Sequence, residues 1–147
     1  MALIHLIYVS SAMQEQTDAE LDAILEYSVR RNKQNKLTGM LLYAGRNFLQ
    51  VLEGEEKDVD ATFARIEKDP RHNGIIIIDR ETIPFRSFEK WHMGFHRMKA
   101  QDVLDHPGYA PFFEKGFSPE KLGIFKREAF GVLLTFAESY RDKPHLR

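Results

Sequence analysis

The stretch LIHLIYVS, Leu3 to Ser10, limits the possible folds more than any other part of the chain. Its Ile, Leu, Tyr and Val content predicts a β-strand. By the two-residue period of a strand, Ile4, Leu6 and Tyr8 share one face, while Leu3, His5, Ile7 and Val9 share the other. A strand that is apolar on both faces belongs in the interior of a sheet covered on both sides. A second such run, NFLQVLEGE from Asn47 to Glu55, places Phe48, Gln50 and Leu52 on one face and Leu49 and Val51 on the other. Gln50 is therefore an amide at the centre of a buried strand. Left unpaired there, it would cost about 1–3 kcal/mol, so the fold has to bring a partner to it.

The remaining elements follow in order. MQEQTDAE is polar, and Thr17 or Asp18 can cap a helix running from Asp18 to about Asn35, where Leu21, Ile24, Leu25 and Ser28 recur at helical spacing. Continued along the helix, that face brings Ile24, Ser28 and then Arg31 or Asn32 into one row. LTGMLLY and RNFLQVLEG flank a short turn around Ala44 to Asn47 and predict a β-hairpin. Glu55 to Lys68 returns to a helical pattern, with Val59, Phe63 and Ile66 as the apolar stripe and Thr62, Arg65 and Asp69 as a polar row beside it. Asp69-Pro70 ends that helix, because the residue before a proline avoids helical geometry. GIIIID, Gly74 to Asp79, predicts a fourth strand that can continue beyond Arg80, and FEKWHMGFHRM predicts a fifth around Lys90 to Phe95.

Strand, helix, strand, strand, helix, strand, strand defines an α+β fold: a ferredoxin-like βαββαββ sheet with two helices on one face. The last third is punctuated by Gly and Pro. It has room for a short helix around Tyr109 to Lys115 and a longer one from Lys126 to Tyr140, striped by Ala129, Val132, Leu133, Phe136 and Tyr140. That C-terminal helical extension is expected over the opposite, bare face of the sheet. Residues 1–97 then form the core, and residues 98–147 the extension of the same domain.

Composition narrows the function classes. The 147 residues are 43% apolar and 29% charged with a formal net charge of -1, which suits one globular domain and gives no extended basic footprint for nucleic acid. No run approaches the length of a membrane-spanning helix, and no secretory signal pattern opens the chain, so a cytoplasmic protein without a membrane partner is expected. Cysteine is absent, which removes thiolate nucleophiles, cysteine metal sites and cysteine–flavin photoadducts together. The six histidines form no compact metal motif, and no metal is expected. No GxSxG, phosphate-binding loop or dinucleotide glycine signature is present. Glu53 and Glu55 share strand parity but fall where a solvated strand end would place them. What remains is a polar set among apolar neighbours: Tyr8, Ser28, Asn32, Gln50, Arg65, Asp69 and His72. Taken singly these have plain structural explanations, such as Arg65 with Asp69 as an i,i+4 pair on an exposed helix face.

Five stretches give the set a shared meaning. LIYVS (6–10), RRNKQNKLTGMLLY (30–43), NFLQVLEGE (47–55), RIEKDPRHNG (65–74) and FEKWHMGF (88–95) resemble, in order and spacing, the BLUF family of blue-light sensors that bind FAD. The tail is similar to the helical extension of the short, stand-alone members. The resemblance implies FAD as cofactor, Tyr8 as photochemical electron donor and Gln50 as the amide between Tyr8 and the flavin. It places Asn32 at the edge of the flavin ring, Ile24, Ser28, Leu41, Phe48 and Ile66 around it, and Arg65, Asp69, Arg71 and His72 near the ring or its ribityl–phosphate side. Arg31 departs from the family, whose members often carry Asn or His there; an arginine can reach a flavin carbonyl, phosphate or solvent. Trp91 and Met93, of like parity on the expected fifth strand, are the implied couplers to the output.

The function implied is a non-enzymatic photoreceptor. Rearrangement at Gln50 would signal through the last strand and the C-terminal helices to a separate downstream protein, and a homo-oligomer is compatible with this reading. The alternative is a non-photochemical ferredoxin-like interaction module, and a flavin oxidoreductase is third.

Overall fold

The computed structural model of the chain describes residues 2–44, 46–107 and 126–138. At its centre lies β1 (Leu3–Ala12), antiparallel on one side to β3 (Asn47–Glu55) and on the other to β4 (His72–Thr82). β2 (Thr38–Ala44) forms the hairpin with β3, and β5 (Gly94–Arg97) adds in parallel to β2, giving the order β4-β1-β3-β2-β5. This is the ferredoxin-like sheet with one added strand.

α1 (Asp18–Asn35) starts where the sequence places it, because Thr17 forms a capping box: its hydroxyl accepts from Glu20 N–H while the Glu20 side chain accepts from Thr17 N–H. The helix ends on Lys36, whose left-handed φ of 57° lets its N–H return to the Asn32 carbonyl. α2 (Glu56–Glu67) packs on the same sheet face. Leu21, Leu25 and Val29 of α1 and Val59 and Phe63 of α2 close over Ile4, Leu6, Tyr8, Leu41, Phe48 and Leu52.

α3 (Ala100–Asp105), which the periodicity did not anticipate, follows β5. α4 (Lys126–Glu138) covers the other face, burying Ala129, Val132, Leu133 and Phe136 against Ile7, Val9, Met40, Leu42, Leu49 and Val51. The two faces of β1 thus enter two separate cores, as its composition requires. The expected helix around Tyr109 to Lys115, and Tyr140, lie outside the described residues.

One strand boundary differs from the sequence reading in a way that matters for the site. β5 begins at Gly94, not Lys90. Ahead of it the chain turns, with Trp91 N–H donating to the Phe88 carbonyl at 3.1 Å and Gly39 N–H donating to the Trp91 carbonyl at 3.1 Å. Alternation does not hold through a turn. Met93 therefore enters the core on the Tyr8 face, while Trp91 packs against the core beneath α4. A glycine is needed at 39 because a Cβ there would lie 2.1 Å from the Val51 carbonyl oxygen of β3, with Met93 Cε 3.4 Å away. Among the described residues no helix is long and apolar enough to cross a membrane.

Candidate functional site

Between α1, α2 and the sheet lies a cavity of about 520 Å³, within the range of about 300–1,000 Å³ typical of small-molecule sites. Tyr8 and Gln50 lie opposite each other on neighbouring strands and both open into it. The Tyr8 hydroxyl donates to Gln50 Oε1, and Gln50 Nε2 donates to Met93 Sδ at 3.4 Å. The amide that had no partner within its own strand is thus satisfied from two other segments. Tyr8 is 4% and Gln50 5% exposed, so water competes little for these bonds.

Burial pushes the Tyr8 phenol well above its ordinary pKa, and the negative charge of Asp69 adds to the effect. The phenol is protonated across the physiological range and remains a donor. The Phe63 ring meets Tyr8 edge-on, with centroids 5.4 Å apart.

Ile24, Ser28, Arg31, Asn32, Leu41, Phe48, Arg65, Ile66, Asp69, Arg71 and His72 also line the cavity. Asn32, 2% exposed, faces in from the last turn of α1 and donates through Nδ2 to the His92 carbonyl. Arg65 bonds Thr62 Oγ1 at 3.1 Å, and Asp69 pairs with Arg71 instead of forming the i,i+4 pair with Arg65. Hydrogen bonds from the Arg71 side chain, aided by its backbone N–H and charge, hold the Asp69 carboxyl below the usual range against the opposing effect of partial burial. His72 Nε2–H donates to the Ile66 carbonyl at 2.8 Å, pinning the end of α2 to the start of β4.

Ser10, Gln16, Tyr27, Leu52, Thr62 and Lys68 line the cavity too, although the sequence reading did not place them there. Ser10 continues the Tyr8 face, Leu52 the Gln50 face and Tyr27 the Ile24 row, so periodicity carried those signals. Gln16 and Lys68 lie outside the regular elements and had none.

The donor set fits a flat aromatic ligand with an anionic tail. Ile24, Leu41, Phe48, Leu52 and Ile66 supply apolar walls, and the charged lining consists of four cations, Arg31, Arg65, Lys68 and Arg71, against a single carboxylate, Asp69. Two buried polar atoms in the wall, Ser10 Oγ and Arg31 Nε, have no hydrogen-bond partner among the described residues. Buried polar groups are normally satisfied, and a flavin bearing phosphate offers carbonyl, hydroxyl and phosphate oxygens to both.

Two further sequence expectations need correction. Trp91 does not share the Met93 side of the sheet, for the reason given above. Glu53 does not sit at a solvated strand end: it is 0% exposed, because the segment joining β4 to β5 folds back over it. Beneath α4, His5, Asp79 and Glu81 bring ligand-capable atoms within 4.8 Å of one another. Here His5 Nε2 pairs with Asp79 at 2.9 Å, and Lys126 with Glu81 at 3.5 Å.

Comparison with known proteins agrees with this geometry. The family model described as BLUF, sensors of blue light using FAD, matches residues 3–94. The dark-state structure of BlrB, a BLUF protein, superimposes with a TM-score of 0.73 at 30% identity, covering 94% of this chain and 97% of that one. The ground state of BlsA gives 0.73 at 28% identity, covering 90% and 87%. The chain is 38% identical over 107 residues to the alpha subunit of a photoactivated adenylate cyclase of Euglena gracilis, covering 71% of this chain and 10% of the relative. It is 32% identical over 123 residues to the blue light- and temperature-regulated antirepressor BluF of Escherichia coli, covering 82% of this chain and 29% of that protein. It thus spans about a tenth of the first relative and under a third of the second. With the match running from β1 into β5 and the Tyr8–Gln50 pair opening into the cavity, the chain belongs to the BLUF family of blue-light sensors.

Proposed function

We propose that this protein is a blue-light photoreceptor that holds FAD noncovalently in the α1–α2 cavity and signals to a separate downstream protein. The observation that carries the reading is the hydrogen-bonded chain from Tyr8 through Gln50 to Met93, opening into a cavity with apolar walls and a cationic rim. Bound FAD would supply blue absorption and, once excited, a strong oxidant beside Tyr8.

The protein's own groups do the rest. Tyr8, kept protonated by burial, would supply an electron and its phenolic proton to the bound flavin. Gln50 suits the position next to it because one end of an amide accepts while the other donates. Rotation or tautomerisation of Gln50 exchanges those roles, releasing Met93 Sδ and redirecting a donor into the cavity. Asn32 and Ser28 would orient the ring edge, and Arg31, Arg65, Lys68 and Arg71 would hold the ribityl–phosphate side. Stronger donation toward the ring would move absorption to the red without any covalent bond, consistent with a chain that has no cysteine.

The signal would leave through Met93 and β5 toward the C-terminal helices. The relatives include a photoactivated adenylate cyclase subunit of Euglena gracilis and a blue light- and temperature-regulated antirepressor of Escherichia coli. That diversity supports an output set by the partner.

A light-minus-dark absorption spectrum of the purified protein tests the reading. A yellow protein with a reversible red shift after blue illumination is expected. A folded protein that retains no flavin, or whose spectrum ignores light, would refute it.

A further inference from the structure

Glu53 is a fully buried carboxylate on the sheet face opposite Gln50, three residues further along β3. Burying a charge is expensive unless every bond it needs is made. Here three donors converge: Thr38 Oγ1 at 2.9 Å and Phe88 N–H at 2.9 Å on Oε1, and Ser87 N–H at 2.6 Å on Oε2. Arg86 closes the cluster from the adjoining residue, donating through Nη1 to Thr38 Oγ1 and to the Glu53 carbonyl at 3.0 Å each, and through Nη2 to the Lys36 carbonyl at 2.8 Å.

The two N–H groups belong to a segment without strand pairing of its own, so discrete pegs determine where it lies. Glu53 is the first. Beyond it the Trp91 carbonyl accepts from Gly39 N–H, the His92 carbonyl accepts from Asn32, and Met93 Sδ accepts from Gln50. Phe88, held by the same carboxylate, is 0% exposed and meets Phe130 of α4 edge-on at 6.0 Å. One end of the pegged segment therefore touches the Gln50 network and the other touches α4.

We propose that Glu53 is a positioning residue for the light response: its carboxylate holds Ser87 to Met93 so that Met93 meets Gln50 while Phe88 meets α4, making this segment the mechanical link between them. The coupling half of the proposal rests on the photoreceptor reading; the anchoring half rests on the geometry alone.

The test uses flavin-loaded protein and compares Glu53→Gln with Thr38→Val. In Glu53→Gln an NH₂ replaces one acceptor and faces a donor, so at least one peg is lost. Thr38→Val removes a hydroxyl from the same cluster but leaves both backbone pegs on the carboxylate. Glu53→Gln is expected to speed hydrogen exchange at the Ser87 and Phe88 amides by about tenfold or more, to shift the Met93 methyl resonance in the dark, and to change the recovery time of the light state by about threefold or more. Thr38→Val is expected to lower stability while leaving the Met93 resonance and recovery near wild type.

Unchanged Met93 and recovery in Glu53→Gln would overturn the proposal, as would equal changes in Thr38→Val. Should Glu53→Gln fail to fold, Glu53→Asp keeps the charge but withdraws it by one methylene, and the same readouts decide. A wild-type protein blind to light would refute the receptor reading and with it the coupling. The dark-state exchange and Met93 signals would then still show whether Glu53 anchors the segment.

Discussion

The Tyr8–Gln50 bond can be measured as a coupling energy. The two residues face each other across β1 and β3 and are 4% and 5% exposed. Tyr8→Phe leaves Gln50 Oε1 as a buried acceptor without its donor, at a cost of about 1–3 kcal/mol. Gln50→Leu leaves the Tyr8 hydroxyl similarly stranded, at a similar cost; the sulfur contact to Met93 adds little. The double variant removes both polar groups and leaves apolar shapes of comparable size, which is close to neutral. Together the two single costs should therefore exceed the double by about 2–6 kcal/mol, at or above the top of the range of about 0.5–3 kcal/mol for residues in direct contact.

Urea unfolding in the dark, followed by circular dichroism, resolves this. With a slope of about 2 kcal/mol per molar urea, each single variant moves the midpoint by about 1 M. Added flavin must be held constant, because a native-state ligand raises apparent stability by itself. A coupling below about 0.5 kcal/mol, the range of independent sites, would show that the pair is not a desolvated hydrogen bond. In the same samples Gln50→Leu should fold and lose the light-induced red shift, and a wild-type photocycle in it would refute the role of Gln50.

Titration of Tyr8 gives an alkaline signature. Its folded pKa is raised by burial and by Asp69 above the unfolded value of about 10, so its contribution to stability is intact below about pH 10 and is lost as pH rises beyond that; wild type should weaken between about pH 10 and 11 more steeply than Tyr8→Phe, and parallel stability curves would contradict the burial argument. Asp69 acts at the other end. Because Arg71 lowers its pKa, its contribution is present above about pH 4 and disappears as pH falls through the depressed value, so Asp69→Asn should flatten the acid limb of a melting-temperature profile. Leu133→Ala, in the core under α4, should cost about 2–5 kcal/mol in unfolding free energy yet leave the dark absorption maximum in place, since Leu133 packs on the face away from the cavity. A displaced maximum would show that the two cores are not separate.

What the sequence determined by itself is local and periodic. A cap at Thr17 or Asp18 and the 3.6-residue stripe set α1 from Asp18 to Asn35, and strand parity grouped Tyr8 with Ile4 and Leu6 within β1 and Gln50 with Phe48 and Leu52 within β3; that the two groups share a face is a matter of the β1–β3 pairing. Those patterns arise from backbone geometry and hydrogen bonds a few residues apart, so they can be read without the rest of the molecule. Resemblance then supplied the polar and apolar residues now found lining one cavity, to which periodicity alone gave no shared purpose. Tertiary structure decided what depends on distant segments meeting. Met93 reaches Gln50 and Trp91 goes to the other core because Gly39 and Phe88 hold the turn before β5. Glu53 looked solvated because nothing in its own strand predicts that Ser87 and Phe88 will return to cover it. A buried charge or amide is stable only where such long-range partners arrive, and strand periodicity carries no information about that arrival.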